Sequence, residues 1–318
     1  MTGKNRHNKY RKSIYRRRSV GIIILVSVIC LSVMLTAFLI IGNLLHKQSE
    51  KRNDPSLEDT EISSDNLTNE KAPVRSIKAH SVLLETQDSS VFSSRLEALV
   101  RNGIYEASVP LNTADGKLLY KSEIANKIGY SNGDANVTLT KAVSSAKENN
   151  IYLSGIYYLN AFKNSDPLVR SVELSRAGAL ISEALNAGFN DVVVIAPEMT
   201  NAQIDEVIRF IEDIKSLTNG GAVGLCVSDS ILSAESSQEL SNTISTLDGK
   251  IDFLAIDASP GYISGNYGTI GDKISAVQQY ILMYKMRVLL PNATDSNSAS
   301  AIINEAESNG VKSIQFLP

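Results

Sequence analysis

From Val74 to the last residue, short apolar segments alternate with amphipathic helical patterns, and polar loops join them. Eight strands and seven helices can be placed in residues 74–318. This is the count of a (β/α)8 barrel, a fold of about 250 residues whose enzymes carry their chemistry on the loops after the strands. The alternation therefore predicts an α/β fold, a TIM-like barrel, and limits the search for a site to eight stretches. An open, doubly wound sheet is the alternative, because periodicity does not show closure.

The strands are predicted from near-continuous apolar runs, as expected where both faces of a parallel sheet are covered. They are Val74–Leu84, Ile104–Leu111, Ile151–Leu159, Asp191–Glu198, Ala222–Ser228, Ile251–Ser259, Met286–Pro291 and Val311–Leu317. The clearest helical pattern is Thr200–Leu217, with an apolar stripe of period 3.6. Helix ends are predicted at glycines placed where a left-handed residue stops a helix: Gly103, Gly188, Gly220 and Gly310. No helical pattern follows the eighth strand, so the barrel is predicted to lack its last helix.

The front of the chain has the pattern of a membrane anchor. Residues 1–19 contain eight Lys or Arg and no acid, and Val20–Leu45 is a run of 26 uncharged residues. As a helix this run would be roughly 39 Å long, enough to cross a hydrocarbon core of about 30 Å with some tilt. The basic tail is expected in the cytoplasm and the rest of the chain outside. A cleaved signal peptide is the alternative, but its apolar region is normally shorter and ends in a small-residue cleavage site.

Residues 46–73 join the predicted anchor to the barrel. They are acidic and polar with few large apolar side chains, which predicts a flexible stalk. Of the two cysteines, Cys30 lies in the apolar run and Cys226 in a predicted strand, so the sequence offers no disulfide framework. An exported domain without disulfides is more typical of a bacterium, here of the Gram-positive type, than of a eukaryotic secretory pathway. The acidic balance outside the basic tail argues against nucleic acid as a partner. The sequence leaves protein partners unknown.

Several chemistries are excluded by the residues that are missing. The three histidines are His7, His46 and His80, and only His80 lies in the predicted barrel. A Ser-His-Asp site and a His-rich zinc site therefore have too few residues. No Walker, GxSxG or GxGxxG pattern occurs, so no cofactor and no metal is predicted.

Carboxylate chemistry remains, and glycoside hydrolysis needs a pair of acids across the scissile bond. Acids near the predicted strand ends are Glu85, Asp115, Glu198, Asp229, Asp257 and Asp295. Strand alternation puts Leu254 and Ile256 on one face and Ala255 with Asp257 on the other, which predicts that Asp257 points into the barrel. The same reasoning suggests that Glu198 points inward with Val194 and Ala196. For each acid taken alone, a solvated loop residue or helix cap is the alternative.

Four segments resemble a family of bacterial barrels classed as glycoside hydrolases, formerly a domain of unknown function. Asn112–Ser122 (NTADGKLLYKS) resembles the family's D-[DS]-G-x-L-x-Y-x-S segment, and Asn150–Leu168 is similar to its "giY-iaRi-vFkDp-L" segment. Ala187–Pro197 and Ile251–Tyr262 stand where the family has "GFdEiqfDYiRFP" and "DyiaPMvYPSHY". The resemblance covers about residues 75–318 and implies a barrel with glycoside-hydrolase ancestry.

The departures from the family concern its charged positions. The family's "iDvK" falls on Val109–Asn112, so Pro110 replaces the Asp and Asn112 the Lys, and the Arg of the third strand falls near Ile156. The Asp and Arg of "DYiRFP" fall on about Ile195 and Glu198, a register that disagrees with the strand alternation for Glu198. The chain also has no Trp for sugar stacking, which leaves tyrosines to serve in part.

Two hypotheses follow from the sequence. In the first, the chain is a membrane-anchored extracytoplasmic glycoside hydrolase acting on envelope or environmental polysaccharide. Asp257 and Glu198 would be its acid/base pair, and Tyr158, Asp229 and Tyr262 would contact the substrate. In the second, the barrel has lost catalysis and serves as a glycan-binding or protein-scaffold module at the cell surface. The expected partners are a polysaccharide and the lipid bilayer, the latter through residues 20–45.

Overall fold

The computed structural model describes residues 77–84, 89–130, 135–232, 237–260, 265, 268–291 and 296–318. The predicted basic tail, membrane span and stalk lie outside the described residues. Among the helices that are described, none combines the length and the apolar character needed to cross a bilayer.

The described chain contains eight strands, each close to a predicted apolar run. They are β1 (Lys78–Ser81), β2 (Glu106–Pro110), β3 (Tyr152–Tyr158), β4 (Asp191–Ile195), β5 (Ala222–Cys226), β6 (Phe253–Asp257), β7 (Met286–Pro291) and β8 (Ser313–Leu317). The predicted strands were longer at one or both ends, except for Met286–Pro291, which is reproduced.

Every connection between consecutive strands carries a helix in its described part. These helices are α1 (Ser89–Arg101), α2 (Leu139–Glu148), α3 (Pro167–Ala187), α4 (Ile204–Leu217), α5 (Asp229–Leu232), α6 (Ser237–Leu247), α7 (Gly268–Val277) and α8 (Ser296–Ser308). Short 3-10 helices lie at Ala125–Ile128, Ala161–Lys163, Asn201–Gln203 and Met283–Lys285. The four glycines that were predicted to end helices all have positive φ angles.

The strands form a closed parallel barrel in the order β1 to β8, so the predicted TIM-like barrel is confirmed and the open sheet is excluded. β8 completes the ring by pairing with β1, with Lys78 opposite Ile314 and Ala79 opposite Gln315.

Each strand divides its side chains between two apolar layers. In β6, Phe253 and Ala255 belong to a cluster inside the barrel, whereas Leu254 and Ile256 belong to the larger core between strands and helices. The predicted orientation of β6 is therefore confirmed, and Asp257 continues the inward series of this strand.

The interior near the amino ends of the strands is polar and fully packed. The Arg287 guanidinium donates to the Asp191 carboxylate, with 2.8 Å between Nη2 and Oδ2, and both side chains are almost completely buried. Arg287 also donates to Gln315 Oε1 at 2.8 Å, and its guanidinium carbon lies 3.8 Å from the centre of the Phe253 ring. These hydrogen bonds offset part of the cost of burying the ion pair, whereas the buried Arg287 Nε has no hydrogen-bond partner among the described residues.

Candidate binding site at the carboxyl end of the barrel

Five side chains come together where the carboxyl ends of β3, β5 and β6 meet the loops, and we call them the mouth cluster. The cluster consists of Tyr158, Cys226, Asp229, Asp257 and Lys273. Their proximity shows in their mutual electrostatic effects and hydrogen bonds. In barrels of this fold, the carboxyl end of the strands is where substrates bind.

Asp257 is the last residue of β6 and is half-buried. Its Oδ1 accepts a hydrogen bond from the backbone N–H of Ser259 at 2.8 Å. Among the described strands, Asp257 is the only acid at a carboxyl end, because the other two strand acids, Glu106 and Asp191, begin their strands.

Tyr158 lies inside the barrel at the end of β3 and packs against the interior apolar cluster. Burial raises the pKa of Tyr158 to about 12, with further contributions from the charge of Asp257 and from Cys226. The phenol therefore keeps its proton at neutral pH and can donate a hydrogen bond toward the opening.

The backbone of Tyr158 is held by the side chain of Asn112, a residue just beyond β2. Asn112 Nδ2 donates to the Tyr158 carbonyl at 2.9 Å, and the Tyr158 N–H donates to Asn112 Oδ1 at 2.8 Å. The Asn112 side-chain amide thus makes the two hydrogen bonds to β3 that the backbone of a further β2 residue would otherwise make. The position where the resembled family has a lysine therefore holds a buried structural amide.

Asp229 and Lys273 form the charged side of the mouth cluster. Lys273 Nζ lies 2.6 Å from Asp229 Oδ1, and the side chains are 15% and 48% exposed, respectively. The same ammonium lies 3.4 Å from the Asp257 carbonyl oxygen, which ties α7 to the end of β6. Lys273 carried no signal in the sequence, because nothing distinguishes it from an ordinary helix-surface lysine.

Cys226 lies at the bottom of the cluster and is fully buried. Burial raises the pKa of its thiol well above the usual value, and the charges of Asp257 and Asp229 raise it further. Both carboxylates are therefore near the same sulfur, although Asp257 ends β6 and Asp229 begins α5. The structure brings Asp257 and Asp229 together, along with Tyr158 of the predicted site.

Glu198 has a different position from the one that strand alternation suggested. β4 ends at Ile195, with Val193 and Ile195 facing the barrel interior. Val194 and Ala196 face the helices, so the prediction that they point inward together with Glu198 is wrong. Glu198 follows in an exposed turn and forms no hydrogen bond or ion pair within the described part of the chain. Its catalytic role stays a prediction. Tyr262 lies outside the described residues.

The segment Asn112–Ser122, which carries the strongest family resemblance, makes contacts that hold its loop in place. Gly116 has a φ of +94°, and its carbonyl accepts a hydrogen bond from Tyr130 Oη at 2.5 Å. Tyr120 and Ser122 both donate to Glu183 Oε2 on α3, at 3.1 and 2.7 Å. The segment therefore attaches the long loop after β2 to α3.

The described residues contain no group of three or more His, Cys, Asp or Glu side chains that could hold a metal ion. The mouth cluster offers hydrogen-bond donors in Tyr158 and Lys273 and acceptors in Asp229 and Asp257. This arrangement can bind a polar, hydroxyl-bearing ligand over an apolar floor.

Comparison with known proteins supports the fold at low sequence similarity. No protein-family profile matches the chain. No curated protein matches it significantly either. Among solved structures, the chain is similar to a candidate alpha-L-fucosidase from Bacteroides thetaiotaomicron, with a TM-score of 0.55 and 13% identity over 83% of this chain and 91% of that one.

Two further structures have the same barrel. Endoglucanase Cel5A from Thermotoga maritima aligns with a TM-score of 0.50 and 8% identity, over 75% of this chain and 88% of its own. The cellulose synthase subunit Z of Clostridioides difficile aligns with a TM-score of 0.50 and 9% identity, over 77% of this chain and 92% of its own. These neighbours are glycoside-hydrolase-like TIM barrels, and at such identities the similarity shows the shared fold.

Proposed function

We propose that this chain is a membrane-anchored, extracytoplasmic barrel that binds polysaccharide of the cell envelope or the environment in its mouth cluster. The observation that carries the proposal is the convergence of Asp257, Tyr158 and the Asp229–Lys273 pair at the carboxyl end of the barrel. Sugar hydroxyls donate and accept hydrogen bonds, so a site for them needs acceptors and donors close together. The mouth cluster has both.

The glycoside-hydrolase ancestry is supported by the motif resemblance of Asn112–Ser122 and by the names of the structural neighbours, a candidate fucosidase and an endoglucanase. The barrel would bind a glycan chain across its open end, with Tyr158 donating to a hydroxyl or ring oxygen and Asp257 accepting from a hydroxyl. Tyr262 is proposed to contact the glycan from the loop after β6.

Hydrolysis is the second candidate function. It is favoured by one observation, that the Lys273 ammonium contacts both the Asp229 carboxylate and the Asp257 carbonyl, so that these two acids lie at the same opening. In that case Asp257 would be one member of the pair, and the second would be Asp229 or, as the sequence suggests, Glu198. Asp229 is bound to Lys273, with 2.6 Å between Nζ and Oδ1, which holds this carboxylate in place.

A single set of variants separates binding from hydrolysis. The full chain in detergent micelles is tested against a panel of glycans for binding by calorimetry and for release of reducing ends. The variants are Asp257→Asn, Asp229→Asn and Glu198→Gln, and the control is Asp213→Asn, an exposed acid on α4.

Each outcome assigns a role. Binding without turnover, weakened by Asp257→Asn but not by the control, supports a glycan-binding barrel. Turnover that Asp257→Asn abolishes supports hydrolysis, and loss in either Asp229→Asn or Glu198→Gln identifies the second acid. Unchanged binding and turnover in all three variants would show that the mouth cluster takes no part in the function.

The proposed location has its own test. The anchor is proposed to be Val20–Leu45 with the barrel outside the cytoplasm. A carboxyl-terminal epitope on the full chain should be digested by protease added to intact cells from which the wall has been removed. Survival of the epitope until the cells are lysed would contradict the proposed orientation.

A further inference from the structure

The outward face of α3 carries no charge. Leu168, Val172, Ser175 and Ala179 follow each other at spacings of four, three and four residues, which places them on one side of the helix. The opposite side of α3 is buried against the barrel. A helix on the surface of a soluble domain normally presents charged residues to water, so the outward face of α3 has the composition of a contact surface.

Half of the exposed large apolar side chains in the described part of the chain lie on α3 and the neighbouring α4. They are Leu168, Val169 and Val172 at the start of α3 and Leu217 at the end of α4. Leu168 is 79% exposed and Leu217 62%. Single exposed apolar side chains are normal on a protein surface, whereas several on one pair of helices indicate a surface that another molecule covers.

A groove of about 610 Å³ runs between α3 and α4. On the α3 side it is lined mainly by small residues, among them Ser175, Gly178 and Ala179. A Cβ on Gly178 would lie 3.6 Å from the Phe210 ring and 3.7 Å from Ile214. Gly178 therefore lies level with residues 210–214 of α4, in the middle of the groove.

The α4 side of the groove carries two opposite charges. Arg209 and Asp213 line the groove, are exposed and stand one helical turn apart. Arg209 Nε donates to the backbone carbonyl of Asp205 at 3.2 Å, and neither charge forms an ion pair within the described residues. The point midway between Arg209 and Asp213 is level with Gly178. A two-fold axis through this point, perpendicular to the helices, brings Arg209 of each copy to Asp213 of the other.

We propose that two copies of this chain form a two-fold symmetric dimer in which α3 and α4 pack antiparallel on the same helices of the partner. Ala179 lies beside the axis, where a small side chain lets two helices approach closely. Arg209 pairs with Asp213 of the partner subunit at both symmetry-related positions. Leu168 and Val172 are covered toward the ends of the contact. None of these residues belongs to the mouth cluster, so each copy keeps its own opening.

The charges distinguish this arrangement from a parallel one. Parallel packing places α4 on the partner's α3, whose outward face is uncharged, and would bury Arg209 and Asp213 without partners. The size of the surface fits a dimer as well. A helix of the length of α3 extends about 31 Å, and two adjacent helices are roughly 20 Å wide, which gives roughly 600 Å² on each copy. The total of about 1,200 Å² is at the lower end of the range for specific interfaces.

The test measures the protein mass of the full chain in detergent micelles by size-exclusion chromatography with light scattering, over a range of concentrations. We expect the native chain to be a dimer. Arg209→Asp and Asp213→Arg each bring like charges together twice in the dimer, and each should raise its dissociation constant at least about tenfold. An equimolar mixture of the two variants should form dimers again, because one variant then presents two acids and the other two bases.

Further variants separate this surface from other modes of association. Arg95→Asp, the same change at an exposed arginine on α1, is the matched control and should remain dimeric. Ala179→Glu places a charge beside the axis and should give a monomer that binds glycan like the native chain.

Three results would overturn the inference. The first is a native chain that is monomeric at every concentration. The second is a dimer that persists in both Arg209→Asp and Ala179→Glu, because the copies would then associate elsewhere, for example through Val20–Leu45. The third is a mixture of Arg209→Asp and Asp213→Arg that stays monomeric. A loss of glycan binding in Ala179→Glu without a change in mass would make the groove a ligand site, and it also contradicts the dimer.

Discussion

The Asn112 side chain closes a pair of hydrogen bonds with the backbone of Tyr158, 2.9 Å to its carbonyl and 2.8 Å from its N–H. This contact joins the loop after β2 to the end of β3 and fixes the residue whose phenol lies beside Asp257. Asn112 therefore holds the Tyr158 side chain through the Tyr158 backbone. The direction in which this side chain points into the barrel does not depend on the exposed loops around it.

Asn112→Ala should lower the free energy of unfolding by about 2 kcal/mol, because it leaves two buried backbone groups of Tyr158 without partners. It should also weaken glycan binding, since Tyr158 loses its support. Urea unfolding followed by circular dichroism measures the first effect. Asn102→Ala is the matched control, because it removes an exposed amide that bonds the Ala98 carbonyl at 2.8 Å and should cost less than about 0.5 kcal/mol. Equal losses in the two variants would contradict the structural role of Asn112.

The raised pKa of Tyr158 predicts a loss of stability in alkali. An unfolded tyrosine releases its proton near pH 10, whereas the folded Tyr158 holds it until about pH 12 because of burial, Asp257 and Cys226. The unfolded chain therefore gains by ionisation between these pH values, and the stability that Tyr158 provides below pH 10 is lost as pH rises toward 12. Tyr158→Phe should flatten the decline in the free energy of unfolding over this range.

The control for this measurement is Tyr105→Phe, which changes an exposed tyrosine. Urea unfolding at several pH values from 9 to about 12 gives the slope for each protein. If Tyr105→Phe flattens the curve as much as Tyr158→Phe, the burial of Tyr158 does not produce the effect. The single variant Asp257→Asn should show a smaller decline than the native chain, because the Asp257 carboxylate contributes to the raised pKa of Tyr158.

The barrel could be predicted from the sequence because its signals are local. Apolar runs define the strands, and glycines with positive φ at Gly103, Gly188 and Gly310 end helices where the pattern indicated. Gly220 does not end its helix, because α4 ends at Leu217 and is capped by Thr218 in an extended conformation. Which side chains of a strand face the barrel interior was predictable where successive residues differ in size, as in β6. It was not predictable in β4, where Val193, Val194 and Ile195 are nearly equal and all are buried.

The mouth cluster was predictable only in part. Asp257 and Tyr158 stand at strand ends, and that position is visible in the sequence. The pairing of Lys273 with Asp229 joins residues 44 positions apart, which no local pattern reveals. The motif of Asn112–Ser122 suggested chemistry, yet Gly116, Tyr120 and Ser122 serve to attach a loop to α3.

Gly224 and Phe253 are register neighbours on β5 and β6, and the glycine leaves room for the ring. A Cβ on residue 224 would lie 2.1 Å from Phe253 Cε2. Gly224→Ala should therefore lower the free energy of unfolding by about 2–3 kcal/mol through overpacking. Adding Phe253→Leu should recover part of the loss relative to Gly224→Ala alone, because a smaller side chain relieves the clash. Thermal melts followed by circular dichroism give both values.

Gly178→Ala is the matched control for that series. The glycine lies within α3, and the nearest atom that its Cβ would meet is 3.6 Å away, an ordinary contact. Because alanine is the better helix residue, this substitution should leave stability unchanged or raise it by about 0.5–1 kcal/mol. A similar loss in both glycine variants would show that the strand position has no special steric constraint.

The ion pair between Arg287 and Asp191 should dominate the stability of the barrel interior, since both side chains are at most 1% exposed. Arg287→Met should lower the free energy of unfolding by about 3–5 kcal/mol, because the Asp191 carboxylate is left buried without its cation. The exposed pair Lys250–Glu212 has a shorter N–O distance of 2.6 Å, yet Lys250→Met should cost less than about 1 kcal/mol because water screens it.

Combining Arg287→Met with Asp191→Asn should restore stability relative to Arg287→Met, since the amide removes the uncompensated charge while still bonding Tyr152. Urea unfolding of the native chain, Arg287→Met, Asp191→Asn and the double variant measures the coupling between the two side chains. A double variant less stable than Arg287→Met would show that Asp191 contributes mainly through its other hydrogen bonds.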